Sequence, residues 1–171
     1  MIITPNEDQV FTTLRAFIVT LAGTQRVLRT PVNRADMPKD AFVAMTPGVF
    51  ELLATNSSTT NATTRTVYSH KRFDCQIDCY GPSSSDLANT ITTLFRDPYG
   101  ADALAVSGFD IAPLYADTAQ QMPIVDSENQ YQERWTFKLV LQVNHVVSTD
   151  QQSANIATVD IVNVDSTYPP T

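Results

Sequence analysis

The stretch QYQERWTFKLVLQVNHVV, residues 130–147, decides the fold. Tyr131, Trp135, Phe137, Leu139, Leu141 and Val143 share one parity, and Gln132, Arg134, Thr136, Lys138, Gln142 and Asn144 share the other. A period of two is that of a strand with one dry and one wet face. Eighteen residues at strand rise reach about 60 Å, whereas a compact chain of 171 residues has a radius of gyration of about 15 Å and a diameter of about 40 Å. The strand must coil, bulge or project. A projecting strand exposes backbone groups and an apolar stripe, which natural proteins tolerate when another chain covers them. Assembly therefore leads catalysis as the class of function.

A second ribbon precedes it, with Val67, Phe73, Cys75, Ile77 and Cys79 on one face and Tyr68, His70, Arg72, Asp74, Gln76 and Asp78 on the other; Gly81 and Pro82 end it. At the start of the chain, Thr4 as N-cap, Pro5 at the first helical position and Glu7 predict a capping box. Val10, Phe11, Leu14, Phe17, Ile18 and Leu21 then follow the helical period as far as Gly23. Residues 26–38, with Pro31 and Pro38, read as a short edge strand entering a loop, and 41–45 and 49–54 as strands bent at Pro47 and Gly48. The polar segment 55–66 (TNSSTTNATTRT) predicts a mobile loop or hairpin tip; its glycosylation-like triplets at Asn56 and Asn61 read as chance. A second helix starts among Ser83, Ser84, Ser85 and Asp86, carries the stripe Leu87, Ile91, Leu94 and Phe95, and ends before Pro98 and Gly100. Residues 110–115 predict a short strand, 116–129 an acidic connection, 156–164 a last strand and 165–171 an extended tail. The expectation is one α+β domain over 1–171, with two amphipathic helices on one face of a mostly antiparallel, long-stranded sheet.

Eighteen acidic against eleven basic residues leave a net charge of −7, with lysine only at 39, 71 and 138. A phosphate-gripping surface is disfavoured. The longest apolar run, 16–22, is too short to span a bilayer, so a soluble protein made in the cytosol is expected. Cys75 and Cys79 lie four apart on one strand, about 13 Å, beyond the reach of a mutual disulfide, and read as buried free thiols. There is no Gly-rich phosphate loop, G-x-S-x-G, HExxH or CxxC, and no catalytic, cofactor or metal residue is assigned. His145 falls on the apolar parity and reads as structural, while Asp74 and Asp78, about 13 Å apart on one face, read as solvated. Glu133 falls on the apolar parity between Tyr131 and Trp135. A buried carboxylate needs a partner, so either the strand begins only after it or it pairs at a surface that assembly buries. Arg134 faces the other way, where it could bridge to a neighbouring chain.

The stretches HKRFDCQIDCYGPSSSDLANTITTLFRD (70–97), PLYAD (113–117) and MPIVDSENQYQERWTFKLVLQVN (122–144) together resemble the neck terminator or tail terminator family of tailed bacteriophages. Matching positions are Asp78, Gly81, Asp86, Ala88, Phe95, Tyr131, Glu133, Arg134, Gln142 and Asn144; Thr149, Asp150, Gln151, Gln152 and Ser153 stand where the family pattern has a Pro-Gln-aromatic element. The resemblance implies a virion structural protein forming a ring, a homohexamer, at the neck. Its implied partners are the head-side connector or collar, the tail tube and the sheath, with genomic DNA passing through unbound and no membrane contact. The implied setting is the virion, after assembly in the host cytoplasm. Tyr131, Glu133, Arg134, Trp135, Gln142 and Asn144 become candidate intersubunit contacts, and the Thr-rich loop and the tail candidate contacts with the rings above and below. Competing readings are another head–tail adaptor or tail-tube ring protein, a small hydrolase using His145 with an acid, and a ligand-binding domain.

Overall fold

The computed structural model describes residues 3–23, 25–31, 38–125 and 130–151. In chain order, β1 (Ile3–Thr4) leads to α1 (Glu7–Ala22), β2 (Arg26–Arg29), β3 (Phe42–Leu52), β4 (Ser57–Thr60) and β5 (Thr64–Tyr80). The chain continues through α2 (Ser84–Phe95), α3 (Pro98–Ala105), β6 (Ile111–Ala116), β7 (Gln120–Gln121), β8 (Ile124–Val125), β9 (Tyr131–Gln132) and β10 (Arg134–Asp150).

The two alternating ribbons are each other's partners. β5 and β10 pair antiparallel without a slip, from Arg134 opposite Tyr80 to Asp150 opposite Thr64. This register sets Trp135 against Cys79, Phe137 against Ile77, Leu139 against Cys75 and Leu141 against Phe73. A slip of one residue would turn that whole row to the wet face, so burial itself fixes the register. β3 and then β4 line the outer edge of β5, β2 joins β3 in parallel, and β7, β6 and β1 follow one another along the outer edge of β10. β8 and β9 form a separate two-stranded sheet.

One face of the large sheet carries all three helices. Val10, Phe11, Leu14, Phe17 and Ile18 of α1, Leu87, Ile91 and Phe95 of α2, and Leu104 of α3 bury against the ribbon row. Phe11 meets Phe73 edge-on at 5.7 Å and Phe17 meets Phe95 at 5.8 Å. The α+β class is as the sequence predicts, with a third helix added. Pro98 does stop α2, but it also occupies the first turn of α3, where Asp97 caps the helix by accepting from the Tyr99 N–H. Gly100 serves contact rather than termination, since a Cβ there would lie 2.7 Å from the Leu94 carbonyl oxygen.

Three local readings change. The capping box of α1 is Asn6 with Gln9, not Thr4 with Glu7. Thr4 is drawn into β1, paired with Val146 of β10, which moves the helix start two residues on. β3 is one strand with a bulge between Pro47 and Phe50, rather than two strands. There the Val49 N–H donates to Asp74 Oδ1 at 2.9 Å, and a Cβ on Gly48 would lie 2.6 Å from the Asp74 carbonyl oxygen, so only glycine fits. The stretch that decides the fold is itself divided: 131–132 belong to β9, and the long strand starts at Arg134 and runs on past 147 to Asp150.

β10 thus spans about 56 Å, more than the helices cover. No residue from 64 to 72, nor from 146 to 150, is buried. The polar segment 55–66 is the hairpin of this extension: β4 pairs with β5, and Asn61 Oδ1 accepts from the Thr63 and Thr64 N–H groups to close the turn. The predicted strand 156–164 and tail 165–171 lie outside the described residues.

Candidate functional site

The sheet face away from the helices carries the even positions of both ribbons, and their polar groups satisfy one another. Asp78, 4% exposed, is the centre of this network. Its Oδ1 accepts from Arg134 Nε at 3.0 Å and pairs with Arg134 NH2 at 2.9 Å, while Gln76 Nε2 donates to both carboxylate oxygens. Asp78 is therefore not the solvated residue its strand parity suggests, because Arg134 and Gln76 take water's place. Arg134 also lies over the Tyr80 ring, which stacks on Phe42 at 4.3 Å. Farther along, Lys138 pairs with Asp74 at 3.5 Å and Arg72 with Glu51 at 3.6 Å. His70 Nδ1 lies 2.7 Å from Asn144 Oδ1, which also accepts from Gln142 Nε2 at 3.0 Å.

The six candidate contact residues fall in two places. Gln142 and Asn144 sit on the wet face beside His70. Tyr131, Glu133, Arg134 and Trp135 gather at the other end of β10, about 30 Å away for ten residues of strand. There the strand does begin only after Glu133, whose Oε1 accepts from Trp135 Nε1 at 3.1 Å while its carbonyl accepts from the Gly81 N–H. Trp135 packs on the core, and Arg134 is held by its own chain's Asp78. Tyr131 is different: it is 82% exposed, on the rim of a cleft shared with Lys39, Gly81 and Pro82.

His145 packs at 5.4 Å from the Phe50 ring, and its Nδ1 donates to the Pro5 carbonyl at 2.7 Å. Burial lowers its pKa from the ordinary value near 6.5, and Lys71 adds to this, against the Pro5 bond, which raises it. Such a group stabilises the fold fully above the unfolded pKa, and that contribution drains away as pH falls through about 6.5 toward the lower folded value. The urea midpoint is therefore expected to drop between pH 7.5 and pH 5. His145→Gln should cost about 1–3 kcal/mol at pH 7.5 through the lost buried bond and should flatten that pH dependence, both read from urea titrations. The two cysteines are buried, and burial pushes both thiols up to about 12, which suppresses the nucleophilic thiolate. No group of three or more metal-ligating side chains comes together among the described residues.

What the molecule does present is edge. Beyond the bulge, the outer side of β3 has no strand beside it among the described residues, since β2 ends opposite Met45. This edge carries Val49, Leu52 and Leu53, which are 63%, 66% and 48% exposed. Leu114, Tyr115 and Met122 form exposed apolar points beyond the opposite side of the ribbon pair. Sequence parity could not locate these edges, because it shows a strand's faces but not its neighbours.

The sequence profile described as "Phage neck terminator protein" matches residues 8–169. No curated protein matches the chain. One solved structure, of a protein whose name states no function, is 12% identical and covers 81% of this chain and 96% of its own, with a TM-score of 0.44. On the profile match, which extends from the first helix across both paired ribbons, the chain belongs to the phage neck terminator protein family, with a structural role at the junction of head and tail.

Proposed function

We propose that copies of this chain close into a ring, a homohexamer, which ends the tail tube and joins the tail to the head-side connector. The observation that supports this reading most is the β5–β10 ribbon, which runs beyond the helix-covered core and carries at β3 an apolar edge with no strand beside it among the described residues. An edge of this kind invites pairing with another chain. A ring closes only if two different patches meet on each subunit, and this molecule has exposed apolar residues on both sides of the ribbon pair. The wet face of the sheet serves as support, its Asp78–Arg134, Asp74–Lys138 and Glu51–Arg72 pairs being satisfied within the chain. Of the six candidate contacts, Tyr131 is the one free to insert into a neighbour, with Glu133, Arg134 and Trp135 positioning it. Gln142 and Asn144, on the wet face about 30 Å along β10 from Tyr131, form a separate contact with the neighbour, apart from the ion pairs of that face.

A net charge of −7 suits a channel through which DNA passes without being held. The ring sits in the virion neck after assembly in the host cytoplasm, and the 55–66 hairpin contacts an adjoining ring. Light scattering across a concentration series, with negative-stain imaging, tests the reading. A species of about six subunits with a central hole is the expected result. A strict monomer that also fails to bind purified tail ends would overturn it.

A further inference from the structure

The bulge puts β3 one residue out of step with β5. Pro47 lies opposite Cys75 and Phe50 opposite Phe73, so Gly48 and Val49 together face Asp74. In an even ladder Gly48 alone would face Asp74, Val49 would face Phe73, and every side chain from 49 to 53 would change faces. The stack of Phe50 on Phe73 at 4.4 Å favours the bulge. The even ladder, however, would set another apolar side chain, Val49, in the same place, so burial does not select the register unaided. The Asp74 carboxylate adds what burial lacks, because its Oδ1 accepts at 2.9 Å from the N–H of Val49, within the bulge. The Asp74 side chain is only 20% exposed, and Lys138 of β10 holds the other oxygen at 3.5 Å. Gly48 makes room for it, since a Cβ there would lie 2.6 Å from the carboxylate carbon.

We propose that Asp74 is a positioning residue for assembly: by holding the bulge it fixes the register of residues 49–53, and with it the placing of the exposed Val49, Leu52 and Leu53. A slip of one residue would exchange the faces of Leu52 and Leu53 and turn Glu51 away from Arg72. Lys138 orients the carboxylate from the far side, so the direction of β3 is tied through β5 to β10. Bulges re-aim side chains beside functional edges in this way. The inference rests on the ring reading and names the residue that sets the shape of one exposed edge, without depending on what that edge meets.

A cross-strand disulfide reads the register within one subunit. Leu52 lies opposite Lys71, and beside them the Leu53 N–H donates to the His70 carbonyl. Positions 52 and 71 are therefore a non-hydrogen-bonded pair, with Cα atoms about 4.5 Å apart and within disulfide reach. The even ladder would bring Glu51 opposite Lys71 instead. Two double substitutions, Leu52→Cys with Lys71→Cys and Glu51→Cys with Lys71→Cys, are oxidised in the native background and with Asp74→Ala or Asp74→Asn, and bond formation is followed by mass after alkylation. Buried Cys75 and Cys79 are spectators. The native background should close 52 to 71. Asp74→Ala should slow that bond about tenfold and speed the one from 51 to 71, whereas Asp74→Asn, which keeps an acceptor oxygen, should retain the native pattern. If the alanine chain does not fold, the near-isosteric Asp74→Leu, also without an acceptor, takes its place. Without the added cysteines, Asp74→Ala should need about tenfold more protein for half-assembly, a loss of about 1.4 kcal/mol, and Asp74→Asn should not. A bond from 52 to 71 that forms as fast after Asp74→Ala, or rings that form equally well once the register has slipped, would overturn the inference and leave the ring reading intact. Native protein that assembles neither alone nor on purified tail ends would remove the ring reading and the assembly role of Asp74, and the disulfide rates would still decide whether Asp74 sets the register.

Discussion

Replacing Phe73 with alanine is expected to cost about 3–5 kcal/mol, the range for removing a fully buried aromatic side chain. Phe73 is 0% exposed and joins three elements: it stacks on Phe50 of β3 at 4.4 Å, takes Phe11 of α1 edge-on at 5.7 Å and faces Leu141 across the ribbon. Truncation removes the ring packing and leaves a void where helix, bulged strand and ribbon meet, so local collapse can recover little. The denaturant midpoint should fall with little change in slope. Val106→Ala, at a position 87% exposed, is the matched control and should move the midpoint by less than about 0.5 kcal/mol. Equal losses at the two positions would show that Phe73 does not lie in the core.

Asp78→Ala is expected to destabilise by about 2–3 kcal/mol, below the usual range for breaking a buried pair because water can still reach Arg134. The Arg134 side chain is 21% exposed against 6% for that of Asp78, so the surviving guanidinium is partly rehydrated. Arg134→Ala alone should cost about as much, by leaving the carboxylate buried with only Gln76 as its donor. The double change should cost clearly less than the sum, and the difference in a double-mutant cycle measures the coupling. Additive losses would mean that the pair contributes through packing on Tyr80 and not through charge. The pair also bears on assembly: if Arg134 positions Tyr131, a ring assay on Asp78→Ala should lose assembly at temperatures where the subunit is still folded.

How much could be read in advance differed by element. The α1 stripe, the α2 stripe and the dry faces of the ribbons over 73–79 and 135–143 were legible because each is a repeated local pattern, and those residues bury or pack together, whereas Val67 and Tyr131, assigned to the same faces, lie outside the core. The α1 cap was misplaced by two residues because Thr4 and Asn6 are both competent caps, and only the pairing of Thr4 with Val146 chooses between them. α3 was missed because Pro98 and Gly100 carry stop signals in isolation; Pro98 also suits a helix start, and Gly100 is required by the nearby α2 backbone. Asp78 was misread because parity places a residue on a face but does not say what else lies there.

The sequence by itself determined the α+β class, the two long ribbons and their wet and dry faces, since these follow from short-range periodicity and the transfer free energy of side chains. The tertiary structure alone decided that the ribbons pair with each other, that Arg134 closes on Asp78 instead of facing outward, and that among the described residues β3 beyond its bulge and β4 have no strand on their outer side while β1, β6 and β7 cover the other edge. The physical reason is that pairing and edge exposure depend on register between residues far apart in the chain, and register is set by the simultaneous burial of one whole row of side chains, a property of the assembled sheet that no single segment carries.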